Sequence, residues 1–200
     1  MDVFFCRSKS SRCNGYLLGN TKHDAVLIDP GHVDINMLNL IEENNYHLHA
    51  ALITHDHKGH TNGLRCLTCI YDIAIYAANK NLGGYNVKMV REGEALTIGD
   101  FVFEIISVPG HSQDSVVYKI EQLLFTGDVL GAGFVGRTTS MYGSAIQMTA
   151  IRNKLFTLPY NCMVFPGHGP PTSLEAERLF NSDVQYSEYK KKYRPRFLLE

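Results

Sequence analysis

The apolar positions fall in short runs broken by Gly, Pro, Asn and Asp, a spacing that belongs to strands more than to long helices. Gly15-Tyr16-Leu17-Leu18 and Ala25-Val26-Leu27-Ile28 predict two strands, the second stopped by the turn signal Asp29-Pro30-Gly31. Ile35, Leu38 and Ile41 recur at helical spacing and predict a helix from Asp34 as cap through Ile41. A strand over 51–54, a His-rich loop, a helix from about 61 to 70 and a strand over 73–76 make the next unit. Strands are predicted at 101–108, 116–120 and 123–125, followed by a helix over about 144–158, a strand over 163–165 and a helix over 174–180. Two halves, each of strands then helices, predict an α/β chain with two sheets packed face to face and helices outside.

Length and composition narrow this picture. Two hundred residues, 44% hydrophobic and 20% charged, suit one soluble globular domain over residues 1–200. Nineteen basic against twenty acidic residues leave a formal charge of −1, so no global positive field exists to hold nucleic acid. The strongly basic run Lys190-Lys191-Lys192, with Arg194 and Arg196, reads as a short solvated tail from about 187. No secretory signal is visible at Met1-Asp2-Val3-Phe4-Phe5-Cys6, and no apolar run reaches the length of a membrane span. Five cysteines cannot all pair within one chain, so a cytoplasmic location with reduced thiols is expected. Cys66 and Cys69 form a C-x-x-C in the helix after the His-rich loop; helix packing is the expected role, with redox activity the alternative.

Candidate chemistry concentrates where strands end. Thr54-His55-Asp56-His57-Lys58-Gly59-His60 places three imidazoles within six residues directly after an apolar run, and His is the commonest metal ligand. Three later strand ends deliver His111, Asp128 and His168, each directly after a glycine. A lone His beside Gly is ordinarily a turn residue, but six ligand types at four strand ends are hard to assign to packing. Loops held by a rigid sheet commonly carry binding groups. Three His with an open position is a zinc catalytic geometry, in which the cation lowers the pKa of bound water to about 7 and makes hydroxide available to attack a carbonyl. His55 or His57 with His111 and Asp128 is also a two-His, one-carboxylate set of the kind that suits mononuclear non-haem iron. A small-molecule substrate is expected, with neither nucleic acid nor membrane as partner.

The order His55-x-His57-x-Gly59-His60, Gly110-His111, Gly127-Asp128, Gly167-His168 resembles the metallo-β-lactamase superfamily over nearly the whole chain. Leu124-Phe125-Thr126-Gly127-Asp128, Gly136-Arg137-Thr138 and Phe165-Pro166-Gly167-His168-Gly169-Pro170-Pro171-Thr172 are most similar to its glyoxalase II-like (hydroxyacylglutathione hydrolase-like) branch and the persulfide-dioxygenase relatives. The resemblance implies a four-layer αββα sandwich. It also implies that His55, His57 and His111 bind one metal, that His60 and His168 bind a second, and that Asp128 bridges, with one or two zinc ions and with iron or manganese as alternatives.

Gly59 stands where the family pattern has an aspartate, and it supplies neither a carboxylate ligand nor a group to orient water. A filled first position and a weaker or metal-selective second one are therefore expected. Asp56 alternates away from His55 and His57 in an extended loop, so an outer or solvent role is expected. Arg137 and Tyr142 lie in the loop that borders the metal centre in relatives and are candidates for substrate contact; for Arg137 an ion-pair or packing role competes. His23, His47 and His49 read as surface residues, and His32, after the Asp-Pro-Gly turn, as a residue bordering the site. The leading expectation is a metal-dependent hydrolase of a small thioester or ester. Full hydroxyacylglutathione hydrolases carry a longer helical C-terminal region that contacts glutathione, so glutathione specificity is not expected. The alternatives are a mononuclear non-haem iron persulfide dioxygenase and a metal-binding protein that has lost turnover.

Overall fold

The structure is a computed structural model and describes residues 1–7 and 12–185; the basic stretch from about 187 lies outside the described residues. In chain order the elements are strands β1 (Asp2–Arg7), β2 (Asn14–Gly19) and β3 (Asp24–Ile28), helix α1 (Ile35–Glu43) and strand β4 (His47–Leu52). Helices α2 (Lys58–Thr61) and α3 (Leu64–Ile70) follow, then strands β5 (Ala74–Ala77), β6 (Val87–Met89), β7 (Ala95–Ile98), β8 (Phe101–Ser107), β9 (Val116–Ile120) and β10 (Leu123–Gly127). The hairpin of β11 (Leu130–Gly131) and β12 (Phe134–Val135) leads to helix α4 (Met141–Ala150), a π-helical turn at Ile151–Leu155, strands β13 (Met163–Pro166) and β14 (Thr172–Ser173), and helix α5 (Leu174–Phe180).

Two six-stranded sheets form, ordered β1-β2-β3-β4-β5-β6 and β14-β13-β10-β9-β8-β7. Side-chain alternation sorts each strand between two faces. Val26 and Ile28 of β3, with Ala50 and Leu52 of β4, meet Phe103, Ile105, Tyr118 and Phe125 of the second sheet in the central layer. The intervening Ala25 and Leu27 turn outward to Met37 and Ile41 of α1 and Leu67 of α3, joined by Leu48, which lies before the register shift in the β3–β4 pairing. On the other outer face, Ile106, Val117, Leu124 and Val164 pack on Ala150, Ile151 and Leu155. The result is the four-layer helix-sheet-sheet-helix sandwich that the resemblance implies, and each fully buried Leu, Ile or Phe contributes about 1.5–3 kcal/mol to it. Among the described residues no helix is long and apolar enough to cross a membrane.

Several elements differ from their sequence reading. Asp34 caps α1 as expected, accepting from Met37 N–H at 3.0 Å, but Ile35 is exposed and Met37 and Ile41 form the buried face. The helix expected over about 61–70 starts earlier and breaks at Gly63, whose N–H donates to Pro30 O at 2.7 Å. A Cβ there would stand 2.3 Å from that oxygen, so only glycine allows the approach. Helix α4 begins at Met141 because Ser140 caps it, accepting from Gly143 N–H at 3.0 Å. Cys66 and Cys69 are exposed, which overturns the packing role expected for them: α3 turns Leu64 and Leu67 to the sheet instead.

Strand direction is what positions the site. β9 is antiparallel to both β8 and β10, and β13 is parallel to β10, so β8, β10 and β13 all end at one rim of the second sheet. β3 and β4 are parallel, so Asp29 and the His-rich loop leave the first sheet together. β2 runs antiparallel to β3, pairing Tyr16 with Ile28, and its beginning therefore arrives at the end of β3.

Candidate metal centre

Four strand ends converge at this rim. Thr54 O accepts from Val116 N–H at 2.9 Å, and Gly167 N–H donates to Gly127 O at 2.7 Å, tying the loops together. Gly127 has φ +49°, a left-handed conformation that releases the chain sharply from β10 and aims Asp128 into the rim. Gly167 serves closeness instead: a Cβ there would lie 2.4 Å from Asp128 Oδ1 and 2.6 Å from His60 Cε1.

The ligand atoms of His55, His57, His111 and Asp128 all lie within 4.8 Å of one another, and so do those of Cys13, His60 and His168. Within the first group His57 Nδ1 is 2.8 Å from His55 Nε2 and 3.1 Å from His111 Nε2. Asp128 stands between the groups. Its Oδ2 is 3.8 Å from His55 Nε2, 3.6 Å from His111 Nε2 and 3.5 Å from His168 Nε2, while its Oδ1 is 3.4 Å from His60 Nε2. All six residues singled out by the motif thus come together in the order the strands dictate.

The opposite ring nitrogens are held from outside. His60 Nδ1 meets Asp29 Oδ2 at 2.9 Å, and His111 Nδ1 donates to the Arg137 carbonyl at 2.7 Å. Thr54 Oγ1 lies 3.1 Å from His55 Nδ1 and donates to Asp29 Oδ2 at 2.7 Å. Such contacts fix tautomer and ring orientation, leaving the inward nitrogens as acceptors. Asp29, which reads in the sequence as half of a turn signal, is a buried carboxylate that orients the ring of His60 and, through Thr54, that of His55.

Charge follows burial. Burial pushes His55 down to about 3, and neighbouring His60 acts in the same direction. Burial also lowers His57, with His111 adding to the effect. It opposes charge on His60 too, but the carboxylates of Asp29 and Asp128 outweigh it and hold that ring well above its ordinary value. Burial would raise Asp128; its contact with His60 and the surrounding imidazoles instead keep it below the usual carboxylate range. His168 is raised, first through its contact with Cys13. Among the described residues, His60 Nε2 and Asp128 Oδ1 are buried without a hydrogen-bond partner. Leaving such atoms unmatched costs about 1–3 kcal/mol each, and a shared cation satisfies both. The donor set therefore fits a metal ion.

A cavity of about 610 Å³ opens beside the cluster, walled by His111, Asp128, Phe134, Val135, Arg137 and His168, among others. Arg137 borders this cavity, and it is its backbone carbonyl that touches His111. Tyr142 departs from expectation: it stands on the first turn of α4, 77% exposed and outside this wall. His32 lines a different cavity with Cys6 and Asp34. Asp56 points away, its amide donating to Asp114 Oδ2 at 2.9 Å and its carboxylate accepting from Asn79. Cys13, 4% exposed and 3.5 Å from His168 Nε2, carries no signal in the sequence that would single it out.

The family model described as the metallo-beta-lactamase superfamily matches residues 10–168. A hydroxyacylglutathione hydrolase of Pseudoalteromonas translucida is 37% identical over 145 residues, covering 72% of this chain and 55% of that protein, so the chain spans little more than half of that relative's length. The mitochondrial persulfide dioxygenase ETHE1 of Mus musculus is 32% identical over 184 residues, covering 86% of this chain and 71% of that protein. The crystal structure of ETHE1 from Myxococcus xanthus superposes with a TM-score of 0.84 at 29% identity, covering 92% of this chain and 84% of that one.

Proposed function

Because the chain belongs to the metallo-β-lactamase superfamily, we propose that it is a metal-dependent hydrolase of a small thioester or ester, of the glyoxalase II-like branch. His55, His57 and His111 would hold one metal ion, His60 and His168 a second, and Asp128 would bridge them. The observation that carries this assignment is the division of Asp128, with one carboxylate oxygen facing His55, His111 and His168 and the other facing His60. Bound zinc supplies Lewis acidity and a water whose pKa falls to about 7.

The chain's own residues supply placement. Asp29, Thr54 and the Arg137 carbonyl keep the inward nitrogens of His60, His55 and His111 turned to the cluster. Phe134 and Val135 give the cavity an apolar wall opposite His111 and His168, suited to a small acyl group. Arg137 and Asp183 border the same cavity, so its rim offers groups of both charge signs for the polar end of a substrate. This matching of apolar and charged wall to substrate holds the scissile carbonyl against the cluster.

A second reading has support of its own. The His55, His57, His111 and Asp128 group also contains the two-His, one-carboxylate set of mononuclear iron enzymes, and a persulfide dioxygenase is among the similar proteins. Parallel assays separate the two. Zinc- or manganese-loaded protein is expected to hydrolyse simple thioesters, and iron-loaded protein to consume no oxygen with a glutathione-type persulfide. Oxygen uptake without thioesterase activity would replace the hydrolase by the dioxygenase. Absence of both activities, with metal bound, would leave a metal-binding protein of this fold.

A further inference from the structure

Gly59 removes from the second position the carboxylate that the family pattern would place there, but another anionic ligand type already stands beside that position. Cys13 Sγ lies 3.5 Å from His168 Nε2, and its sulfur and the nitrogens of His60 and His168 are mutually within 4.8 Å. His60 Nε2, on a ring 1% exposed, is buried there without a hydrogen-bond partner. We propose that Cys13 is a metal ligand which replaces the missing carboxylate, so that the second position is a Cys13, His60 and His168 set sharing Asp128 with the first.

Topology makes this contact reproducible. Cys13 immediately precedes β2, whose antiparallel pairing with β3 brings its start to the metal rim. The next residue, Asn14, donates its N–H to Gly167 O at 2.8 Å, and its side chain donates to Pro166 O at 2.9 Å and to Gly169 O at 2.8 Å. Tyr16 OH adds a bond to Pro166 O at 2.6 Å. The start of β2 is thus tied to the chain on both sides of His168, which fixes the backbone directly after Cys13 beside that ring.

The chemistry of the replacement differs from that of a carboxylate. On metal binding the Cys13 thiol releases its proton to solvent and the thiolate donates an electron pair to the cation, restoring the negative charge that Gly59 lacks. Thiolate is a soft ligand; it favours zinc, cobalt or cadmium over manganese or magnesium. The weak second position expected from Gly59 reckoned only with His60, His168 and the shared Asp128. With Cys13 included, it becomes a thiophilic position.

The inference rests on the metal-dependent reading above, and its test reads coordination rather than turnover. Protein carrying Cys66→Ser and Cys69→Ser, which removes the two exposed thiols of α3, is stripped of metal and titrated with cobalt(II). The expected result is an intense near-ultraviolet sulfur-to-cobalt charge-transfer band, of the strength of one thiolate per chain, at two bound equivalents. Adding Cys13→Ser is expected to abolish the band and one equivalent. Two equivalents bound with no band, or a band that survives Cys13→Ser, would overturn the proposal. If Cys13→Ser does not fold, zinc-edge X-ray absorption of the two-zinc parent decides: one sulfur scatterer at ~2.3 Å supports Cys13, and nitrogen and oxygen scatterers alone refute it. Thioester hydrolysis without the sulfur signature removes Cys13 and leaves the hydrolase reading; the signature without hydrolysis does the reverse.

Discussion

Asp29 Oδ2 lies 2.9 Å from His60 Nδ1, and both residues are buried. The same carboxylate accepts from Thr54 N–H at 2.8 Å and from Thr54 Oγ1 at 2.7 Å. One side chain from the end of β3 therefore orients two rings, His55 from the loop after β4 and His60 from α2. Replacing it by its neutral isostere keeps the volume and removes the charge. Asp29→Asn is expected to weaken metal binding about 10–100-fold, measured by competition with a chromophoric chelator, while far-ultraviolet circular dichroism stays native. Unchanged affinity would show that His60 holds its orientation without Asp29.

Glycine 167 gives a steric test of the same rim. Its φ is not left-handed, so alanine is acceptable to the backbone, yet the new Cβ would press on Asp128 Oδ1 at 2.4 Å and His60 Cε1 at 2.6 Å. A displaced bridge is expected to cost about 100-fold in turnover, with the loss in kcat exceeding any change in KM. Gly133→Ala is the control. Gly133 has φ +84° and nothing within 4 Å of a Cβ, so the expected cost is about 1–2 kcal/mol of stability with metal content intact.

Metal removal is expected to lower the melting temperature strongly. A ligand present at 1,000 times its Kd contributes about 4.1 kcal/mol to the folded state, and here the bound ion also relieves the unmatched His60 Nε2 and Asp128 Oδ1. Scanning calorimetry with and without a chelator measures the difference. Coincident transitions for the two forms, at verified metal content, would contradict a structural contribution from the site.

At the opposite end of β3, Asp24 Oδ1 sits 2.6 Å from His49 Nε2, and that contact is the main cause that holds Asp24 below its ordinary value. A depressed carboxylate stabilises the fold above its unfolded pKa, about 3.9, and that contribution disappears as pH falls through the folded value. The pair is part exposed, so its contribution is about 0.2–1 kcal/mol. Urea titrations are expected to show wild type more stable than Asp24→Asn by that margin near neutrality, with the gap closing once the pH drops below about 4. A gap that widens in acid would reverse the assigned sign.

Some elements were plain in the sequence and others were not, for identifiable reasons. The runs at 25–28 and 116–120 read as strands because burial on both faces fills them with apolar residues, as does the burial pattern of β3 and β9. β1 is an edge strand whose residues stay partly exposed, although Val3-Phe4-Phe5-Cys6 is a continuous apolar run, so neither alternation nor burial on both faces marks it. β14 is two residues long and exists only as the partner of β13. In α1 the spacing of Ile35, Leu38 and Ile41 identified a helix but not its buried face, since Ile35 is exposed while Met37 is buried. Periodicity reports that a stripe exists; the layer it meets decides which stripe is covered.

The site divides along the same line. By itself the sequence determined the residue types, their order and the strand ends that carry them, because His55 and His57 cluster directly after an apolar run and His60, His111, Asp128 and His168 each follow a glycine. It left Asp29 as part of a turn and Cys13 as one cysteine among five. Only the tertiary structure decided that both stand at the metal rim. The reason is strand direction: parallel β3 and β4 deliver Asp29 beneath His60, and antiparallel β2 returns Cys13 to His168 across 155 positions of chain. Those pairings follow from burying both faces of two sheets at once, which is a property of the assembled layers and is written in no local stretch of residues.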